Sequence, residues 1–375
     1  RSVCFIEEQR ELERLVERAA RAVRVALDVE GDGMFRYRAR VCTVQLAFDT
    51  EIAIVDTLRI DPAQLAPLMS MHGPEKIVHD ASFDARMLKA AGAPLERVFD
   101  TAVAARFLGA KSTGLSSMLS QRFEVTLEKS HQQADWGQRP ISEPMLRYLE
   151  DDVRFLGLLY ESLLTDVQRS DIELEVREES AYVLSQAALP AGDGSPFLRI
   201  KGAGQLLPFQ RARLYLFALE REDLARAADV PPGRVLSNEL LLRLAAHPAL
   251  DGAAVRQALG ARGEPYLARL TECVGRAAEL SDAPADEVAR LNPAPPSLSQ
   301  IEARKRRRKW LTELRAREAA LRGVDPQVVL PGHCLSDVAE LPGLDATLLC
   351  AVPGFGEFRA ERYGPMLREE FATRW

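Results

Sequence analysis

Four short runs rich in β-branched residues crowd into the first eighty positions, and they constrain the fold more than any other feature. They are VRVALDVEG (23–31), VCTVQLAFD (41–49), EIAIVDT (51–57) and KIVHD (76–80). Each has the length and composition of a strand rather than of a helix. The first two read as a hairpin across GDGMFRYRAR (31–40). Before them, EEQRELERLVERAARA (7–22) has an apolar stripe of Leu12, Leu15 and Val16 and predicts an amphipathic helix. A helix is expected around Pro62–Met69, and SFDARMLKAAG (82–92) has helical period up to Gly92. Strands crowded early and interspersed with helices predict an α/β domain built on a mixed sheet.

From Phe99 to about Ser170 the pattern is helical, broken by KSTG (111–114) and by the polar loop LEKSHQQADWGQRPIS (127–142). AGDGSP (191–196) is a linker signal, and SDAPADEVARLNPAPPS (281–297) reads as a boundary. The expected division is an α/β domain at 1–165, a helical linker at 166–202, a helical domain at 203–277, a Pro/Ala-rich linker at 278–299 and a second helical domain at 300–375. The last two helical regions share an Arg-rich helix followed by a proline turn, a weak internal repeat. No apolar run is long enough to cross a bilayer, so no membrane association is expected. Five scattered cysteines lack metal-ligand spacing and suggest no disulfide framework. A cytoplasmic protein without an obligate protein partner is expected.

The carboxylates carry the chemistry. Asp28 and Glu30 stand two apart in an expected strand, so both project from one face while Val25, Leu27 and Val29 supply the buried one. Two acids side by side on a strand repel unless a cation joins them, or unless Glu30 opens a solvated loop. Asp84 falls in the first turn of the helix after KIVHD, and Asp80 is placed to cap that helix. Tyr148 and Asp152, four apart in PMLRYLEDDVRFLGLLY, share one helix face. Singly, Tyr148 reads as a half-buried aromatic and Asp152 as a surface acid. Together, four carboxylates and a phenol fit a phosphodiester hydrolase holding two Mg²⁺ or Mn²⁺ ions, which prefer oxygen ligands. A net charge of −6 argues against a large nonspecific nucleic-acid binder but not against such a site.

At these residues the sequence resembles the ribonuclease D family of the DEDD exonuclease superfamily, in its tyrosine-bearing branch. ALDVEGD resembles the first motif, HDASFD the second and YLEDD the third, and the KSHQ and DW…RP elements of 127–142 extend the likeness. The resemblance implies a ribonuclease H-like mixed-sheet 3'–5' exonuclease domain followed by two all-α HRDC-like domains (helicase-and-RNase-D C-terminal). It implies Asp28, Glu30, Asp84 and Asp152 as metal ligands, Tyr148 as the residue orienting water, and two divalent ions. The implied reaction releases nucleoside 5'-monophosphates from RNA 3' ends, with tRNA or other stable RNA precursors as substrate. An exonuclease acting mainly on single-stranded DNA and a noncatalytic nucleic-acid binder are the other readings. Two departures stand out: Gly-Asp-Gly (31–33) follows Glu30 where ribonuclease D proper has an apolar residue, and Asp80 occupies a position of small or amide residues.

Several residues are weighed for substrate contact against plain packing. Phe35, Tyr37, Phe83 and Trp136 are candidates for stacking on bases or for the core. His79 reads as structural or as a wall beside the second acidic motif, and His131 and Gln132 as ordering their loop. Lys129 and Arg139 read as meeting phosphate or acidic neighbours. The basic run Arg304–Lys309 is a solvated helix face or a phosphate-contacting one, with Arg211, Arg213 and Arg221 as similar candidates. VPGFG (352–356) is a loop that could turn backbone N–H groups toward phosphate.

Overall fold

The computed structural model describes residues 2–128, 131–187, 195–293 and 296–374. Lys129, the glycines of the 191–196 linker signal, and Ala294 and Pro295 lie outside the described residues. Six strands form one sheet: β1 (Ser2–Ile6), β2 (Arg24–Gly31), β3 (Val41–Phe48), β4 (Glu51–Asp56), β5 (Glu75–Val78) and β6 (Val98–Asp100). Their order is β1-β4-β3-β2-β5-β6. The pairs β4/β3 and β3/β2 are antiparallel and the others parallel, so the sheet is mixed as expected. Two strands escape the sequence pattern. β1 lies beside β4 in a stretch too short to display its period, and β6 has three residues inside a region that otherwise reads as helix.

The helices are α1 (Gln9–Ala19), α2 (Ala66–Met69), α3 (Ser82–Ala90), α4 (Thr101–Phe107), α5 (Leu115–Phe123), α6 (Glu143–Arg154), α7 (Leu156–Arg169) and α8 (Glu173–Ala187). Beyond them come α9 (Pro208–Ala228), α10 (Pro232–Val235), α11 (Asn238–Ala246), α12 (Gly252–Leu259), α13 (Glu264–Ala277) and α14 (Ala285–Leu291). The chain continues with α15 (Leu298–Arg322), α16 (Pro326–Val329), α17 (Cys334–Glu340), α18 (Ala346–Ala351) and α19 (Glu357–Arg374).

The chain divides into two compact units. The first holds residues 1–32, 40–189 and 297–375, the second 33–39 and 190–296. In the first, Leu27, Val29, Val44 and Leu46 bury one sheet face with Leu12, Leu15 and Leu88. The opposite face, with Ala26, Ala47, Ile52 and Ile77, packs on Val103, Phe107, Leu156 and Leu159. Truncating a side chain such as Leu27 to Ala in this close-packed layer costs about 2–5 kcal/mol. On that second face β2 exchanges apolar residues for Asp28 and Glu30, and α6 lies across β2, β3 and β4.

Residues 166–187 are part of this unit rather than a linker. Val176 is buried, and Arg177 of α8 pairs with Glu75 (2.5 Å), which also accepts from Arg24 and Tyr160. The C-terminal helices join the same unit through α8. The wholly buried Arg359 donates to Val328 O (3.0 Å) and Glu175 O (3.1 Å), and Arg322 reaches Glu175 (3.0 Å). His333 stacks on Tyr182 at 3.8 Å and meets Glu179 at 3.1 Å.

In the second unit, α9–α14 enclose Phe197, Leu214, Phe217, Leu241 and Leu270. The stretch 278–299, expected as a linker, contributes α14. Arg211 grips Asp282 just before that helix, and Ala283 is buried, so alanine here serves close packing rather than flexibility. Residues 33–39 also belong to this unit. Tyr37 donates to Glu222 (3.0 Å), Arg36 pairs with Asp229 (2.8 Å), and Arg234 lies over the Phe35 ring at 4.6 Å.

Candidate active site

Asp28 and Glu30 leave β2 on the same side, and Asp152 of α6 meets them there. One carboxylate oxygen from each lies within 4.8 Å of the others. Asp84 stands outside this triad. It is buried in the first turn of α3, with Asp28 as the charge acting most strongly on it. Tyr148 shares the face of Asp152, and its hydroxyl acts on that carboxylate, opposing the rise in its pKa. The structure thus gathers all five residues singled out in the sequence, three of them as a tight cluster.

The electrostatics of the cluster are those of acids lacking a counter-charge. Burial raises the Asp28 pKa, and the Asp152 charge raises it further. Burial and then Asp28 and Asp152 push Glu30 up to about 9. Asp84 is raised by burial and then by Asp28, Asp100, Glu30 and Asp80. Asp152 is pushed up to about 7 by burial, although the Tyr148 hydrogen bond opposes the shift. Burial and the same acids also raise Tyr148, which therefore stays a neutral phenol. A donor set made only of carboxylate oxygens, crowded and destabilised by mutual repulsion, fits a hard divalent cation.

The surroundings are built by residues that the sequence reading did not single out. Asp100, at the end of β6, caps α4 through Ala102 N (2.8 Å) and also accepts from Asp80 N (3.0 Å) and Ala81 N (2.9 Å). It thereby pins the turn that delivers Asp84. Asp80 itself has a left-handed backbone (φ 64°), and its side chain does not cap α3, which begins without a side-chain cap. His79 contacts Thr101 Oγ1 at 2.9 Å, and burial lowers its pKa, in keeping with a structural role. An Asp before Thr-Ala-Val was the cue for the Asp100 cap, but it is visible only once β6 is recognised.

Below α6, Trp136 is buried with Cys42, Ile54, Ile141 and Leu149, and its ring lies 5.7 Å from that of Tyr148. His131 meets Tyr148 edge-on at 6.0 Å. Arg139 meets an acid and not solvent-borne phosphate. It forms two 2.7 Å bonds with the buried Asp56 and donates to Cys42 O and Trp136 O. Gln132, Leu127, Ser116, Tyr148 and Asp152 line a 160 Å³ cavity beside the cluster. Phe83 remains exposed next to Asp84, with the Arg86 guanidinium over its ring at 5.6 Å. Phe35 and Tyr37 are engaged within the second unit.

The Gly-Asp-Gly departure has a structural account. Asp32 is fully buried and takes three bonds from Arg40, one of them from the backbone N at 2.8 Å, closing the base of the β2–β3 loop. At Gly31 a Cβ would stand 2.8 Å from Met87 Cε and 2.9 Å from Arg40 O.

The candidate phosphate contacts elsewhere are engaged within the fold. Arg211 holds Asp282, Arg213 donates to His247 O (2.7 Å), and the buried Arg221 donates to Leu236 O (3.1 Å). In the basic run, Arg304 pairs with Glu340 (2.8 Å) and Arg307 donates to Leu341 O (2.8 Å), while Lys305 and Arg308 are exposed. The VPGFG loop leads into α19, and Phe358 N donates to Glu178 (2.7 Å) rather than pointing at solvent. Among the described residues, no helix is long and apolar enough to cross a membrane.

This mixed α/β sheet with an acidic cluster on β2, α3 and α6 defines a class. Residues 3–168 match the model of the family described as 3'-5' exonuclease. The chain is also similar to ribonuclease D proteins. It is 31% identical to ribonuclease D of Desulfotalea psychrophila over 63% of this chain and 64% of that protein. With ribonuclease D of Xanthomonas oryzae it shares 29% over 62% and 65%. The matches thus span just under two thirds of these relatives' lengths. The crystal structure of Escherichia coli RNase D, described as an exoribonuclease involved in structured RNA processing, aligns over 100% of both chains at TM-score 0.73 and 21% identity, a shared fold.

Proposed function

We propose that the protein is a divalent-metal-dependent 3'–5' exoribonuclease that releases nucleoside 5'-monophosphates one at a time from RNA 3' ends. The observation that carries this reading is the carboxylate cluster of Asp28, Glu30 and Asp152, with Asp84 beside it and the Tyr148 hydroxyl on its edge. The four carboxylates would hold two ions, Mg²⁺ or Mn²⁺. Cations so held lower the pKa of water and offset charge on a phosphate in an in-line displacement. Tyr148 stays protonated and acts by hydrogen bonding, placing water rather than removing its proton. Trp136 and His131 fix the ring of Tyr148. Phe83 offers an apolar face to the terminal base or sugar.

The substrate class follows the ribonuclease D relatives, and tRNA or other stable RNA precursors are the proposed natural substrates. The regions 203–277 and 300–375 are read as HRDC-like positioning domains. Lys305 and Arg308, two of the exposed members of the basic run, are the proposed phosphate contacts. Asp28→Ala and Asp152→Ala should each abolish release of mononucleotides from single-stranded RNA while the circular dichroism spectrum stays that of the parent. Parent-like turnover in either folded variant refutes the assignment. Faster shortening of a matched DNA strand would reassign the substrate without changing the chemistry.

A further inference from the structure

Strand β3 carries two fully buried polar residues, Thr43 and Gln45, in a run whose other members are apolar. Their positions are not arbitrary. In the antiparallel pairing of β2 with β3, Thr43 lies opposite Glu30 and Gln45 opposite Asp28. Each metal-ligand candidate on β2 therefore has a neutral polar neighbour on the adjacent strand. A buried amide with unsatisfied ends costs stability, so its partners should explain its presence.

The Gln45 amide is oriented by those partners. With Oε1 accepting from Thr43 Oγ1 at 2.6 Å, Nε2 donates to Asp28 Oδ2 at 3.2 Å and to Asp28 O at 2.7 Å. The reverse orientation would set Oε1 against two oxygens of Asp28. Thr43 thus fixes the amide, and the amide grips Asp28 by backbone and side chain together. A carboxylate held at one oxygen by a buried N–H keeps a set rotation and offers its remaining lone pairs to a cation.

We infer that Gln45, oriented by Thr43, is a positioning residue that sets the Asp28 carboxylate for divalent-metal binding. This rests on the metal-dependent reading of the site given above. Gln45→Met keeps the length of the side chain and removes both hydrogen bonds. Thr43→Val is isosteric and removes only the group that orients the amide.

The test is a Mn²⁺ titration of the full chain followed by electron paramagnetic resonance, with thermal unfolding and RNA turnover measured in parallel. Gln45→Met should bind Mn²⁺ about 10–100-fold more weakly, the range typical of lost outer-sphere support for a ligand. Its kcat at limiting Mn²⁺ should fall in step, with KM for RNA unchanged and activity recovered at high Mn²⁺. Thr43→Val should show the same pattern with a smaller loss. A packing role predicts instead that Met restores parental Mn²⁺ affinity and kcat, and that outcome overturns the inference. Should Gln45→Met fail to fold, Thr43→Val decides, and parental Mn²⁺ affinity there overturns it equally. A parent protein that folds but binds no Mn²⁺ overturns the metal reading and this inference with it, so the two failures are distinguishable.

Discussion

Burial and neighbouring acids push Glu30 up to about 9, and burial pushes Asp152 up to about 7, above the pKa near 4 of such groups in an unfolded chain. A carboxyl raised on folding binds protons more tightly in the native state, so its effect on stability has a definite sign. The contribution is fully present below the unfolded pKa and is lost as pH rises through the folded one. The metal-free protein should therefore melt at progressively lower temperature between pH 5 and pH 9. A divalent cation favours the ionised acids, so the rise in melting temperature on adding Mn²⁺ should be larger at pH 9 than at pH 5. Melts at both pH values, with an Asp28→Asn control, check this. A metal increment larger at pH 5 would contradict it. Tyr148→Phe should lower turnover by about 10²-fold while leaving Mn²⁺ affinity unchanged. Metal titration beside single-turnover kinetics separates this from a structural role, in which both would fall. The pairs Asp28/Glu30 and Tyr148/Asp152 were legible because each is fixed by local period, two along a strand and four along a helix, whereas no local period brings the two pairs together. Gln45 and Asp100 were not legible, since what makes them matter is a register partner across the sheet and a turn 20 residues away.

Among the elements, the described residues 131–142 show how a loop is held in place. Its anchor is Arg139, whose guanidinium reaches 83 residues back to Asp56 at the end of β4. Removing one partner of a buried pair leaves the other uncompensated, so Arg139→Met should cost about 3–5 kcal/mol. The double variant Arg139→Met/Asp56→Leu should recover part of that loss. Urea unfolding of the set measures the coupling, and additive losses would contradict the account. The loop was recognisable from its polarity, and Trp136 within it as either anchor or ligand surface. Its burial under Tyr148 depends on α6, β3 and β4 arriving together, which no local pattern encodes. Strand β6 was missed for a similar reason: three residues gain strand geometry only by lying beside β5.

For the whole molecule, sequence order and spatial grouping differ. The α/β domain and the helical C-terminal region were legible from period and composition, but their grouping was not. Residues 297–375 belong with the catalytic unit because α8 offers Glu175, Glu178 and Glu179 to Arg322, Arg359 and His333. Single acids and arginines on helices carry no sign that they will pair more than a hundred residues apart. Arg359→Met strips donors from the carbonyls of Val328, Glu175, Gly354 and Phe355 and from Glu178, and should destabilise the unit by about 3 kcal/mol. Hydrogen exchange should then show protection falling in α8 and α19 together, whereas a loss confined to α19 would contradict a shared unit. The central claim concerns what the carboxylate cluster does. The most direct test is a time course on 5'-labelled single-stranded RNA with Mg²⁺, Mn²⁺ or EDTA, run beside Asp28→Ala. The account predicts a ladder shortening stepwise from the 3' end that requires both metal and Asp28. An undegraded strand with folded protein and metal present, or a ladder that persists in EDTA or in the variant, would contradict it.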